Sequence, residues 1–434
     1  MKKVALYGLL LFFMILLTIN TVQAQDNEWV NQVIVVNSGK FESSAPYFDY
    51  VTVESYNPAT QVTNIFNTIY TQSAQDVVIK GNMAYVAAQD SIIMYNIDTY
   101  QRVAAVSDSG LSRLYLFNDK LVVTKKYPIK RFFVEVLNAS NLALLAMVQN
   151  ISGDCGAATS NKDTLYVAVN GGYSGLEGHL ACISNSSWLL GREINFGTAA
   201  VGISDLYNYN GYLYSINQTP SGSSASGSIT QYNLFYLNFN NILLSGKVGY
   251  GCGIKDNLLY LNFNGGIGSF DLNTLTIANG SIIPAPMSSN LFINAGQIDY
   301  VNGNLYLDYG NRPPTFGIGI VASATTGDSL TSFPTGINAY SLAIDYRTPV
   351  GIQPANEDVS FRVFPNPAAD FINVKFDMPA SQLTIKDIAG REIYHAATIT
   401  GKSLRIDCAG IPAGIYFITV SGEKGSSVRK FIKQ

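Results

Sequence analysis

The chain has 434 residues, a formal net charge of -3 and only 13% charged residues. Such a length suits about two or three domains. The near-neutral balance, with no Lys/Arg stripe, argues against nucleic acid as a partner and against cationic membrane-surface helices. Tyr (27) and Gly (38) are abundant, which points to an all-β protein with many turns.

At the N-terminus, Lys2 and Lys3 precede an apolar run from Val4 to Ile19, and Val22-Gln23-Ala24 offers a small-residue cleavage site before Gln25. This predicts a secretory signal peptide over residues 1–24. The run is short for a membrane span, and no Cys follows the cleavage site. No transmembrane segment in the mature chain and no lipoprotein anchor are therefore expected.

Residues 25–347 carry a degenerate repeat. Its core is a turn followed by a strand: Gly81-Asn82-Met83-Ala84-Tyr85-Val86, Asn118 to Val123, Lys162 to Val167, Asn210 to Tyr214, Asp256 to Leu261 and Asn302 to Leu307, with a weaker first copy at Gln32 to Val36. Successive copies lie about 37 to 50 residues apart, the period of propeller blades. Each is preceded by an apolar strand and followed by two more, as in Asp76 to Ile79, Ile92 to Asp98 and Arg102 to Val106. Four strands joined by hairpin turns make a sheet that cannot bury its own faces, and packing such sheets radially does so. Tyr340 to Tyr346 matches the innermost strand but has no blade after it, while the Gln32 copy lacks one before it. Joining the two closes a ring of seven blades and protects two sheet edges; the weak first copy leaves six and eight open. The pattern resembles the YVTN/YncE-like seven-bladed propellers, most closely at Leu165-Tyr166-Val167-Ala168-Val169-Asn170-Gly171-Gly172.

Candidate chemistry is sparse. The two histidines, His179 and His395, have no nucleophile motif beside them, so no catalytic residue is assigned. No Cys-x-x-Cys or Cys/His cluster supports a metal. Only Trp29 and Trp188 are present, against the recurrent blade tryptophans of quinone-dependent propellers, so no cofactor is expected. Aligning the repeats places Gln75, Asp76, Ser112, Arg113, Asp205, Gln297 and Asp299 at the starts of innermost strands. They form a candidate polar ring for a glycan, peptide or small molecule; an Asp at a strand start also caps turns by itself. Tyr207, Tyr209, Tyr212 and Tyr214, or Phe235, Tyr236 and Phe239, either stack on sugars or fill the spaces between blades. Cys155 and Cys182 are a possible disulfide on an export route, or buried thiols like Cys252 and Cys408.

Residues 348–358, with Pro349, Gly351 and Pro354, read as a linker. Beyond it, Phe371 to Phe376, Leu383 to Lys386, Leu404 to Asp407 and Tyr416 to Val420 alternate apolar and polar side chains, predicting a small β-sandwich over 359–434. Its motif residues are Pro365, Asn366, Pro367, Asp387, Gly390, Asp407, Gly414, Tyr416 and Lys430. In that order they resemble the type A C-terminal sorting domain of the type IX secretion system of the Bacteroidota. The resemblance implies a periplasmic stage, with the type IX translocon and a sortase as partners, and a final location outside the cell or on its surface. The expected protein is an exported, non-catalytic propeller that binds a ligand or macromolecule. The alternatives are an extracellular polysaccharide hydrolase or lyase using channel-mouth carboxylates such as Asp205 and Asp299, and a structural or adhesion protein.

Overall fold

The computed structural model describes residues 28–434, apart from 41–48, 130–131, 171–176, 219–224, 289, 312–315, 349–360, 377–380, 398, 400 and 423–424. The expected signal peptide, most of the linker and Gly171-Gly172 of the signature loop lie outside the described residues. The chain divides into two compact units, Met1–Arg347 and Thr348–Gln434.

The first unit is a β-propeller, and its described residues form seven four-stranded antiparallel sheets, the blades. Blades 1 to 6 are continuous in sequence, spanning 74–107, 111–148, 155–197, 203–243, 248–283 and 291–334. Blade 7 is assembled from both ends of the unit. Ala339–Arg347 is its innermost strand, followed outward by Trp29–Asn37, Val51–Asn57 and Val62–Ile69. Val33 pairs with Ile344 and Val35 with Leu342, which is the closure the orphaned strands predict. The innermost strands touch in one unbroken cycle, from blade 1 round to blade 7 and back to blade 1.

Burial explains why the blades need one another. In blade 1 the second and third strands, Met83–Ala88 and Ser91–Asn96, are buried on both faces, while the outermost, Gln101–Ser107, is largely exposed. The apolar residues gather into seven clusters, one for each seam between neighbouring blades. The seam between blades 7 and 1 joins Ile34, Val36, Val51 and Val53 to Val77, Val86 and Ile93. Between blades 6 and 7, Tyr56 stacks on Phe333 with ring centroids 3.9 Å apart. Fully burying one such side chain stabilises by roughly 1.5–3 kcal/mol.

A second repeat, not recognised in the sequence, lies in the turns between the third and fourth strands. Asn57, Asn96, Asn138, Ser184, Asn233, Asp271 and Ser323 each offer a side-chain oxygen to the backbone N–H two or three residues on. The residue four positions later is left-handed every time: Gln61, Tyr100, Leu142, Trp188, Leu237, Leu275 and Gly327. Six of these seven are not glycine, so the Asx or Ser hydrogen bonds and the closing turn hold a conformation that is otherwise uncommon. In blades 1 to 6 this turn also bonds the turn between the first two strands, as in Ile97 N–H to Asn82 O and Leu234 N–H to Gly211 O.

The C-terminal unit is a sandwich of a three-stranded and a four-stranded sheet. Ile372, Val374 and Ile406 from the first sheet share a core with Ile385, Ile418, Val420 and Phe431 from the second. The motif residues do structural work here. Asn366 accepts from Ile432 N–H and donates to Lys430 O. Asp387 accepts from Ala389 N–H, Arg391 N–H and Arg391 Nε, closing the turn at Gly390 (φ 80°). Tyr416 donates its hydroxyl to Pro412 O at 2.8 Å.

Cys155 and Cys182 are both free thiols, which corrects the disulfide considered from the sequence. They sit on the first and third strands of blade 3 with Thr164–Val169 between them. Each also belongs to a different seam, Cys155 with blade 2 and Cys182 with blade 4, so they lie on opposite faces of the sheet.

The seam between blades 6 and 7 holds two buried carboxyls. Glu54 accepts from Gly336 N–H at 3.2 Å and Asp308 from Thr335 Oγ1 at 2.7 Å. Burial, reinforced by the Glu54 charge and opposed by the Thr335 hydroxyl, pushes Asp308 up from 3.8 to about 7; burial raises Glu54 as well. A raised carboxyl holds its proton in the folded state where the unfolded chain has released it, so stability falls as pH rises from about 4 through about 7. We expect wild type to lose roughly 2–3 kcal/mol between pH 5 and 7, at up to about 1.4 kcal/mol per unit. Asp308→Asn should flatten that slope in denaturant titrations and should be the more stable chain at pH 8. A pH-independent wild type would contradict the assignment. Separately, Asn96→Ala removes both turn hydrogen bonds and should cost about 1 kcal/mol in the same titrations.

Candidate functional site: the channel pocket

Each innermost strand is irregular near its start. Pairing with the second strand slips between Ala74 and Asp76, Leu111 and Arg113, Cys155 and Ala158, Ile203 and Asp205, Val248 and Gly251, and Ile293 and Ala295. In blade 7 the slip falls at Tyr340. A bulge re-aims side chains that regular alternation would bury in the seams. Six of these seven irregular strands present polar groups to the channel.

There they enclose a cavity of about 400 Å³, lined from six of the seven innermost strands together with Gln218. Asp76, Arg113, Ser204, Asp205, Tyr207, Tyr250, Gly251, Cys252, Asn294, Gln297, Tyr340 and Ser341 are in its wall. Several of these also tie one blade to the next. Asp76 Oδ2 accepts from Leu114 N–H (2.9 Å), Asp205 Oδ2 from Gly251 N–H (2.9 Å) and Gln297 Oε1 from Ile344 N–H (3.1 Å). Ser204 donates across to Gly249 O at 3.1 Å.

Asp76 is saturated. Its Oδ1 accepts from Val77 N–H and Ser341 Oγ, both at 3.0 Å, and faces the Arg113 guanidinium at 3.7 Å. Burial pushes its pKa up against the pull of Arg113 and these hydrogen bonds. Arg113 differs: among the described residues its guanidinium makes no hydrogen bond, and its side chain is 34% exposed. Burial opposes its charge, but Asp76 and then Asp205 more than compensate, and its pKa is raised. Asp205 uses one oxygen on Gly251; among the described residues the other accepts no hydrogen bond.

Burial pushes the Tyr207 and Tyr250 phenols and the Cys252 thiol well up, so all three stay neutral. Glycine shapes the wall: a Cβ on Gly251 would collide with the Tyr207 hydroxyl and with Ile216. Among the described residues no group of three His, Cys, Asp or Glu side chains is placed to hold a metal ion.

Four of the seven residues expected at the ring, Asp76, Arg113, Asp205 and Gln297, meet in this wall. Three do not. Gln75 turns away to Ser73 Oγ and Gln89 N–H, and Ser112 lies outside the lining. Asp299 is fully buried and caps its own turn through Val301 N–H and Asn302 Nδ2. It therefore cannot pair with Asp205 across the channel, which removes the carboxylate pair considered for glycoside cleavage. Tyr207 lines the pocket, whereas Phe235 and Tyr236 are exposed at a turn between outer strands. His179 lies between Glu177 and Glu193, 3.7 Å from each, outside the wall. Ser204, Asn294 and Tyr340 escaped the sequence reading. The signal for them is positional: each is the bulged residue of its strand, equivalent to Gln75 and Ser112.

No curated protein matches the chain. A hypothetical selenium-binding protein from Sulfolobus tokodaii is similar in fold, with a TM-score of 0.55 at 11% identity over 73% of this chain and 94% of that one. Dihydro-heme d1 dehydrogenase NirN (TM-score 0.47, 13% identity, 72% of this chain and 75% of that one) and the C-terminal WD40 domain of Sif2 (0.44, 13%, 63% and 77%) are more distant. At these identities only fold is shared, and the two scores below 0.5 support nothing further. No described helix is long and apolar enough to cross a membrane. Residues 362–434 match the secretion system C-terminal sorting domain, so the chain carries the type IX signal for export to the cell surface or the extracellular space.

Proposed function

We propose that this is an exported binding protein whose propeller holds a small polar ligand in the channel pocket without transforming it. The observation that supports it is the convergence of polar side chains from six blades on one cavity of about 400 Å³, within the usual range of ligand sites. A non-catalytic role fits the chemistry of the wall. Asp76 is tied up by three donors and an ion pair, and the Cys252 thiol stays protonated. The N-terminal segment acts as a cleaved signal peptide in this reading, and the ring belongs with the YVTN-like propellers.

Two measurements test it. A calorimetric screen of monosaccharides, sugar acids, amino acids and short peptides against the full-length chain should find a ligand whose binding Asn294→Trp, which fills the cavity, abolishes. A folded protein that binds none of them, or binds equally well with the cavity filled, refutes the channel site. In the native host, removing residues 362–434 should leave the protein in the periplasm by cell fractionation; undiminished export would refute the role of the tail.

A further inference from the structure

The charge layout of the pocket narrows the ligand class, on the assumption that the channel is the binding site. Arg113 presents its planar fork of donors to the cavity with none of them hydrogen-bonded among the described residues. With its side chain 34% exposed, the guanidinium is reachable from the channel, and a carboxylate matches its donors two at a time. Asp76 cannot supply that match. Its oxygens already accept from Val77 N–H, Leu114 N–H and Ser341 Oγ, and its contact with Arg113 is 3.7 Å. Asp76 thus positions the guanidinium and leaves it open.

Asp205 offers the opposite character, a carboxylate with one oxygen held by Gly251 N–H and one open to a donor. The wall sets the single positive charge of Arg113 beside the carboxyls of Asp76 and Asp205, which suits a singly charged anion better than a dianion. The cavity of about 400 Å³ has room for a molecule of this kind.

We propose that the channel site takes a small monocarboxylate that also carries hydrogen-bond donors, with Arg113 holding the carboxylate and Asp205 receiving the donors. Hydroxy carboxylates such as hexuronates and amino carboxylates such as α-amino acids share this chemistry. Titration calorimetry of the full-length chain with glucuronate, glutamine, glucose and inorganic phosphate tests it. At least one carboxylate should bind about tenfold or more tightly than glucose and phosphate. Arg113→Met should erase that preference, and so should Arg113→Met combined with Asp76→Asn, which removes the unpaired carboxylate and guards against misfolding. Asp205→Asn should weaken both glutamine and glucuronate, glutamine the more because its α-ammonium is a charged donor; unchanged binding of both overturns the role given to Asp205. Equal binding of glucose and glucuronate, unaffected by Arg113→Met, overturns the carboxylate assignment while leaving the channel as a site. A preference for phosphate, or no binding by any of the four probes, overturns it too.

Discussion

The antiparallel pairing of Trp29–Asn37 with Ala339–Arg347 is the constraint on which the propeller depends. It joins chain segments about 300 residues apart, and its loop-closure cost is only a few kcal/mol because that cost grows with the logarithm of length. In return it completes two apolar seams, one on each side of blade 7. Polar groups pin its register. Asp345, fully buried, accepts from Asn31, Gln32 and Arg347, and Gln32 reaches across to Ile97 O in blade 1. Ser341, on the same closing strand, donates to Asp76. The last strand to join the ring thus also finishes the wall of the pocket.

The same economy runs through the bulges. A regular innermost strand would send alternate side chains into the two seams and present little but backbone to the channel. One extra residue in most strands, and two in that of blade 5, break that alternation near the start of each strand. The residues so exposed serve two purposes, since Asp76, Asp205 and Gln297 take a backbone N–H from the neighbouring blade while facing the cavity. The scaffold and the candidate site are therefore not separable, and Arg113, whose guanidinium among the described residues faces Asp76 at 3.7 Å but makes no hydrogen bond, stands out as the group left for something else.

Much of this was legible before the structure. The turn-and-strand repeat, its period and the orphaned end strands predicted a closed ring, because strand periodicity and turn chemistry are local properties. The tail was legible through the order of its motif residues, of which Asp387 and Tyr416 act within four residues while Asn366 bonds Ile432 across the unit. Asp299 shows the limit. The sequence reading sets it at a strand start like Asp205, yet the strand runs from Leu291 to Ile298 and Asp299 follows its end, where its side chain folds back on Val301 and Asn302. Cys155 and Cys182 show another, because closeness in sequence says nothing about which face of a sheet a thiol takes.

What the sequence alone determined was the module and its address: four-stranded units, their repetition, the splice between first and last, and an export domain at the C-terminus. The module follows from hydrophobic alternation and turn residues, which need no distant partner; the address follows from the resemblance of the tail motifs to a sorting domain. Only the tertiary structure decided which polar side chains meet. A one-residue slip in register moves a side chain to the opposite face, and bulge placement depends on contacts between blades that are far apart in the chain. That is why Asp76, Arg113 and Asp205 share a cavity with Asn294 and Tyr340 while Gln75 and Asp299 do not.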